Sequence, residues 1–284
     1  MESKTLKAKS YGLDSKDSIE SKGNFKELKA FLDSQYSYFN VKDFLQIHAD
    51  PLIVAHKNKD FKHFDEMALL CALYAYGNAN LIVKNLENMP FEFLLDSKNS
   101  NFIESSLESF PYYRFQTRLD TKNAFKILKI LIKNGGIKDI FVNEYKKNNS
   151  VICGIKALQN EITSIMESYK MQSPGLKFLF GDSKNNTSPL KRYNMFLRWM
   201  VRSDSLDFGV WSDVSKSDLL LPLDTHTFNI TKKLGLCSVK SYNMKAVQEI
   251  TQNLKKFDFQ DPVKYDFALY RIGQLNIDIS KFLA

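Results

Sequence analysis

From Asn24 onward, apolar residues recur at spacings of three and four, beginning with Phe25, Leu28 and Leu32. That period places them on one face of a helix. A strongly apolar helix is expected from about Phe64 to Glu87, with Met67, Leu70, Cys71, Tyr74 and Ala75 on one side and Gly77 as a kink or a break. Thr121–Asn134 is a second amphipathic stretch, turning Phe125, Leu128, Leu131 and Ile132 inward and stopping at Gly135-Gly136. Val151–Tyr169 repeats the pattern through Ile155, Leu158, Ile162 and Ile165. The stretch Ser173–Pro189, rich in Gly, Ser and Asn, reads as a break. A helix carrying Lys191 follows, then Thr225–Leu234, Met244–Phe257 and Pro262–Leu275, the last opened by Asp261-Pro262. No series of alternating hydrophobic runs joined by hairpin turns is present. The pattern predicts an all-α domain over residues 23–284, preceded by a polar, Lys- and Ser-rich segment over 1–22 that is expected to fray.

Composition narrows the class. With 284 residues, 44% of them hydrophobic and 13% aromatic, the chain can bury a substantial core. A net charge of +8 and a pI near 9.1 suit a polyanionic partner. The arginines say more than the total, because only six stand among the 40 basic residues and three of them, Arg192, Arg198 and Arg202, fall close together. Guanidinium forks match phosphate geometry, so these three are the expected contacts to a polyanion such as a nucleic acid. Cys71, Cys153 and Cys237 form no CxxC pair and read as thiols in a reducing compartment. The four histidines, His48, His56, His63 and His226, match no ligand spacing, so neither a metal nor a cofactor is expected. The longest apolar run, near Met67–Tyr76, is too short to span a bilayer, and no signal peptide opens the chain. A cytoplasmic protein without a membrane partner is the expectation.

Two short segments carry the chemistry. Residues 220–228 read Leu-Leu-Pro-Leu-Asp-Thr-His-Thr-Phe, placing Asp224 where a helix begins. An aspartate there is ordinarily an N-cap, its carboxylate accepting backbone N–H groups. The same cap facing a cleft would be a fixed negative charge. Upstream, residues 188–200 read Ser-Pro-Leu-Lys-Arg-Tyr-Asn-Met-Phe-Leu-Arg-Trp-Met, with Lys191 near the start. Taken alone, a lysine in that position is a solvated surface residue.

Together, and in this order, the two segments resemble the catalytic lysine and aspartate segments of the helix-hairpin-helix DNA glycosylases, the superfamily that includes endonuclease III. The resemblance implies two helical lobes flanking a DNA-binding cleft, with the lysine on one wall and the aspartate on the other. The separation of 33 residues between Lys191 and Asp224 is closer to that in the archaeal-type 8-oxoguanine glycosylases. The hairpin is divergent: the superfamily's Leu-Pro-Gly-Val-Gly, whose backbone N–H groups grip a phosphate, is replaced by Asn186-Thr187-Ser188-Pro189-Leu190. That grip is therefore expected to be remodelled or missing. Residues 257–284 hold no cysteine, so the iron–sulfur cluster of endonuclease III has no ligands there. Residues 66–79 look like the early helix whose end supplies the base pocket and the DNA gap, and 261–273 like the helix that closes the pocket on the other side. The stretches 110–118, 188–236 and 258–273 also resemble a bacterial family carried as a domain of unknown function, a likeness covering most of the chain from about residue 60.

The resemblance implies a glycosylase with lyase activity. Positive charge builds on the sugar as the N-glycosidic bond breaks, and a carboxylate at Asp224 would stabilise it. The Lys191 amine would attack the anomeric carbon, expel the base and leave a Schiff base from which the 3′ phosphate is eliminated. Tyr76, Asn78 and Trp199 are the candidates for the base pocket or the DNA gap. Tyr112, Tyr113, Arg114 and Phe115 form either a basic-aromatic DNA contact or an aromatic anchor beneath the fold, and the anchor is favoured. The expected partner is double-stranded DNA containing a damaged base, an oxidised purine such as 8-oxoguanine, bound by a monomer that is nucleoid-associated when on DNA. Three other readings stay open: a glycosylase for another damaged base or for plain abasic sites, a DNA-binding protein that kept the scaffold without the chemistry, and a helical protein-interaction module.

Overall fold

The computed structural model describes residues 25–95 and 106–282, so the polar segment expected over 1–22 lies outside the described residues. Thirteen α-helices make up the described chain. They are α1 (Phe25–Phe39), α2 (Asp43–Ile47), α3 (Leu52–Lys57), α4 (Phe64–Leu73) and α5 (Ala79–Glu87), then α6 (Arg118–Lys133), α7 (Ile137–Asn148) and α8 (Val151–Ser168). The series ends with α9 (Pro174–Phe180), α10 (Lys191–Val201), α11 (Thr225–Lys233), α12 (Met244–Lys255) and α13 (Asp266–Gln274). Among the described residues no strand forms, and β-pairing is limited to isolated bridges at Tyr113–Gln116 and Ser203–Phe208. The all-α expectation holds.

Helix α4 is the hub. Every residue from Glu66 to Leu73 is buried, and α3, α7 and α10 pack around it. An apolar helix without a polar face belongs in the interior. Its one buried carboxylate, Glu66, accepts the backbone N–H of Ile137 at 3.1 Å and so satisfies the start of α7. Against this hub α7 packs along α8, while α11 lies along α13 and α13 against α1. Gly273 brings α11 and α13 together, since a β-carbon there would lie 3.1 Å from Ile230 Cγ1 and 3.3 Å from His226 Cβ.

Local rules account for where the elements begin, and they correct several expected boundaries. The helix expected from Phe64 to Glu87 is two helices, because Gly77 takes φ +105° and Asn78 restarts the chain as an N-cap. The helix expected from Thr121 begins at Arg118, where Thr117 and Asp120 form a reciprocal capping box. The break expected over Ser173–Pro189 contains α9, started by the Ser173 side chain and by Pro174 at its first position. Pro262 opens a 3-10 turn, Pro262–Tyr265, before α13 proper. Helix α7 has no counterpart among the expected elements, although Ile137, Phe141, Val142 and Tyr145 supply its buried stripe.

Candidate active site

Lys191 and Asp224 reach the same place from two different helix starts. Helix α10 begins abruptly: Leu190 takes a left-handed conformation, φ +51°, and no side chain caps the helix behind it. Asn194 braces the turn by donating from Nδ2 to Pro189 O at 3.1 Å and from its backbone N–H to Leu190 O at 2.9 Å. Lys191 is thus the first helical residue, partly buried, and its amine has no hydrogen-bond or ion-pair partner among the described residues. Asp224 follows an extended segment pegged into the core by Leu221 and Leu223, both fully buried. Its Oδ1 accepts the Thr227 N–H at 2.8 Å, the N-cap contact that starts α11. Oδ2 has no hydrogen-bond partner among the described residues.

Both side chains line a cavity of about 1170 Å³. Asp50, Tyr76, Gly77, Arg192, His226, Tyr242, Asp266 and Tyr270 line it with them. Its size is at the upper end of small-molecule pockets. The charges inside are coupled. Burial raises the Asp266 carboxyl to about 6, with Arg198 opposing the rise, Asp224 adding to it and Lys191 opposing it. Burial also pushes the Tyr242 hydroxyl up to about 12, with the Asp224 charge as a second cause. That hydroxyl donates to Leu223 O at 2.6 Å, one residue before Asp224. Burial likewise raises the Tyr270 hydroxyl, and the negative charges of Asp50, Asp224 and Asp266 contribute. Three buried polar atoms of residues in the lining, Trp199 Nε1, Gln159 Oε1 and Thr227 Oγ1, have no hydrogen-bond partner among the described residues, although such groups usually meet one.

The remaining expected site residues divide. Tyr76 stands in the cavity wall, half-buried, with its hydroxyl bonded to Gln116 Oε1. Asn78 is exposed at the rim, where its side chain caps α5 by accepting from Asn80 N at 3.0 Å and Leu81 N at 3.3 Å. Trp199 is wholly buried, with 0% exposure, so its indole has no open face for stacking on an extruded base; it is a core residue whose N–H alone remains unspent. Arg192 lines the cavity, but its Nη1 and Nη2 donate to Leu73 O at 2.7 Å and Phe178 O at 2.6 Å. The guanidinium also lies over the Tyr76 and Phe178 rings, at 5.5 and 5.1 Å.

Arg198 and Arg202 are not DNA contacts. They are 5% and 3% exposed, because α10 is buried on every side from Tyr193 to Val201 and leaves no solvent face for a phosphate. Carboxylates take that role instead. Arg198 bonds Asp207 at 3.2 Å and also Asp266. Arg202 bonds Asp261 at 2.8 Å, Asp204 at 2.9 Å and also Asp207. Removing one member of a buried ion pair leaves a charge uncompensated, at a cost of about 3 kcal/mol or more. Asp207→Ala is therefore expected to lower the melting temperature by roughly 6–12 °C in a calorimetric scan. A shift under about 2 °C would mean the remaining aspartates reorganise to satisfy both arginines.

The hairpin segment shows where its backbone donors go. Asn185 Oδ1 accepts from Thr187 N at 3.0 Å and Ser188 N at 3.1 Å, and Leu190 N meets Ser188 Oγ at 3.4 Å. Of the N–H groups that the resemblance assigns to a phosphate, those of Thr187 and Ser188 are engaged by the exposed Asn185 side chain and that of Leu190 by Ser188. Asp266, Tyr242 and Tyr270 were not singled out by sequence. Asp266 gives no local signal, because the arginine it pairs with, Arg198, lies 68 residues away in sequence.

Residues 50–275 match the family described as a protein of unknown function, DUF2400. The chain belongs to that family. The matched region spans every residue lining the cavity except Ile47, His48 and Ala49. No curated protein and no solved structure matches the chain. Among its described residues, this DUF2400 member has no helix long and apolar enough to cross a membrane.

Proposed function

We propose that this DUF2400 protein is a DNA glycosylase with associated lyase activity, acting on an oxidised purine, 8-oxoguanine, in duplex DNA. One observation carries the reading. The side chains of Lys191 and Asp224 line one cavity with room for a nucleobase, and neither the Lys191 amine nor Asp224 Oδ2 is hydrogen-bonded among the described residues. Asp224 stabilises the cationic sugar as the base departs. The Lys191 amine, in its neutral form, bonds to the anomeric carbon; the C–N bond to the base breaks, and the base leaves with the electron pair and takes up a proton. The resulting aminal opens to a Schiff base, and elimination then expels the 3′ phosphate. Because the target base sits inside a helix, it must first be flipped out at a cost of a few kcal/mol. The choice of 8-oxoguanine rests on the resemblance to archaeal-type enzymes.

A second reading is a DNA-binding protein on this scaffold that has no chemistry, and the engagement of the Thr187 and Ser188 N–H groups by Asn185 favours it. Borohydride trapping decides between the two. Labelled duplexes carrying 8-oxoguanine, uracil, thymine glycol or an abasic site are offered in turn, with base release measured in parallel. A covalent complex on the 8-oxoguanine duplex is the expected result. A complex on another lesion alone would reassign the substrate. Salt-dependent binding with neither a complex nor base release would establish the second reading.

A further inference from the structure

Beside the mouth of the cavity a two-residue hairpin holds an arginine and a phenylalanine out in solvent. Tyr113 and Gln116 exchange both backbone hydrogen bonds, at 3.0 and 2.9 Å, leaving Arg114 and Phe115 as the tip. Arg114 takes φ +52°, a left-handed conformation that a side chain other than glycine's adopts only at a cost. The base of the hairpin is tied down. Gln116, fully buried, donates from Nε2 to Gly175 O at 2.9 Å and accepts from the Tyr76 hydroxyl. The Tyr113 hydroxyl donates to Tyr76 O at 2.7 Å, and that of Tyr112 to Arg114 O at 2.9 Å. The tip is fixed from beneath while its side chains stay free. The tip is thus a preorganised contact, and the aromatic-anchor reading holds only for Tyr113.

The exposed surface is specific in its chemistry. Phe115 is 56% exposed and Phe178 41%, with their ring centres 4.7 Å apart and the Tyr76 ring stacked 6.1 Å behind Phe115. The Arg114 guanidinium lies 5.6 Å over Phe115 and forms no ion pair among the described residues. It rests against Gly77, where a β-carbon would come within 3.1 Å of Nη1. Tyr76, Gly77 and Phe178 also line the cavity, so the two surfaces are continuous. Aromatic faces stack on any nucleobase, and an unpaired guanidinium beside them suits the phosphate that accompanies one.

We propose that Arg114 and Phe115, backed by Phe178, form a stacking platform for a second, unpaired nucleobase outside the cavity while the target nucleotide is held within. The proposal rests on the DNA reading of the cavity. Flipping one nucleotide leaves a gap and an orphaned partner base that has lost its stacking, and the platform, continuous with the cavity lining, offers that base an aromatic surface. The chain's charge of +8 is complementary to the strand that carries it.

Fluorescence anisotropy at fixed salt tests this with the full-length protein. The probes are a duplex with one tetrahydrofuran abasic site and the same duplex intact. Phe115→Ala is expected to weaken binding to the abasic duplex about 10–100-fold and to leave binding to the intact duplex unchanged, while Phe115→Trp retains both. Equal losses on the two duplexes, or no loss on either, would overturn the platform; so would a wild-type protein that does not prefer the abasic duplex. Because Phe115 is largely exposed, an unchanged melting temperature serves as the folding control. Trapping on the same preparations keeps the two proposals apart. Selective loss by Phe115→Ala with no trapping by the wild type would keep the platform and remove the chemistry. Trapping with full abasic affinity in Phe115→Ala would do the reverse.

Discussion

Lys191→Gln is expected to eliminate the borohydride-trapped complex entirely while the protein still binds duplex DNA. An amide nitrogen cannot form the imine that borohydride reduces, and glutamine keeps much of the lysine stem. The substitution is mild for the fold, because the Lys191 amine has no ion-pair partner among the described residues to be left uncompensated. A partly buried, unpaired position of this kind changes stability by about 0.5 kcal/mol or less. Loss of trapping in a variant whose melting temperature and duplex affinity are intact would therefore report chemistry alone. Trapping that persists would move the nucleophile to another amine and dissolve the central pair.

Asp224→Asn is expected to slow single-turnover base release on the order of 10³-fold, with little change in duplex affinity. The structure makes this substitution cleaner than it first seems. Asp224 has two duties, one for each oxygen: Oδ1 caps α11 and Oδ2 is free at the cavity. Asparagine is about as good an N-cap as aspartate, so the first duty survives while the negative charge is lost. Asp224→Ala removes both and should additionally cost about 1 kcal/mol of stability. If Asp224→Asn turned over at a near-normal rate while Asp224→Ala only melted earlier, the carboxylate would be a helix cap and nothing more.

The contrast between these two residues and the arginines shows what the chain discloses about itself. Helix periodicity carried most of the fold, because burial faces such as Ile155, Leu158 and Ile162 repeat whatever their partners are. The start at Asp224, governed by one side chain, is equally local, whereas the Ser173 cap is local too but stands at the edge of a stretch whose Gly, Ser and Asn content reads as a break. Helix α7 has an ordinary buried stripe but no local start signal, because it follows the Gly135-Gly136 stop directly and no side chain caps it at Gly136. The arginines failed for a deeper reason. A guanidinium fork accepts a carboxylate as readily as a phosphate, and Arg198 finds one of its partners, Asp266, 68 residues further along. Proximity in sequence could not say which anion the cluster serves. Of the candidate cavity, Lys191, Asp224, Tyr76, Asn78, Arg192 and Trp199 were legible, while Asp266, Tyr242 and Tyr270 join it through the packing of helices that are distant in sequence.

The buried arginine ladder has a mechanical consequence. It bolts α10, which presents Lys191, to the start of α13, which presents Asp266, through charges that cannot part without being stranded away from water. Spreading those two walls to admit a guest would cost the separation of buried charge pairs. A ligand that fits between them must arrive already bent into shape, so the work of deformation falls on the guest and the protein acts as the die.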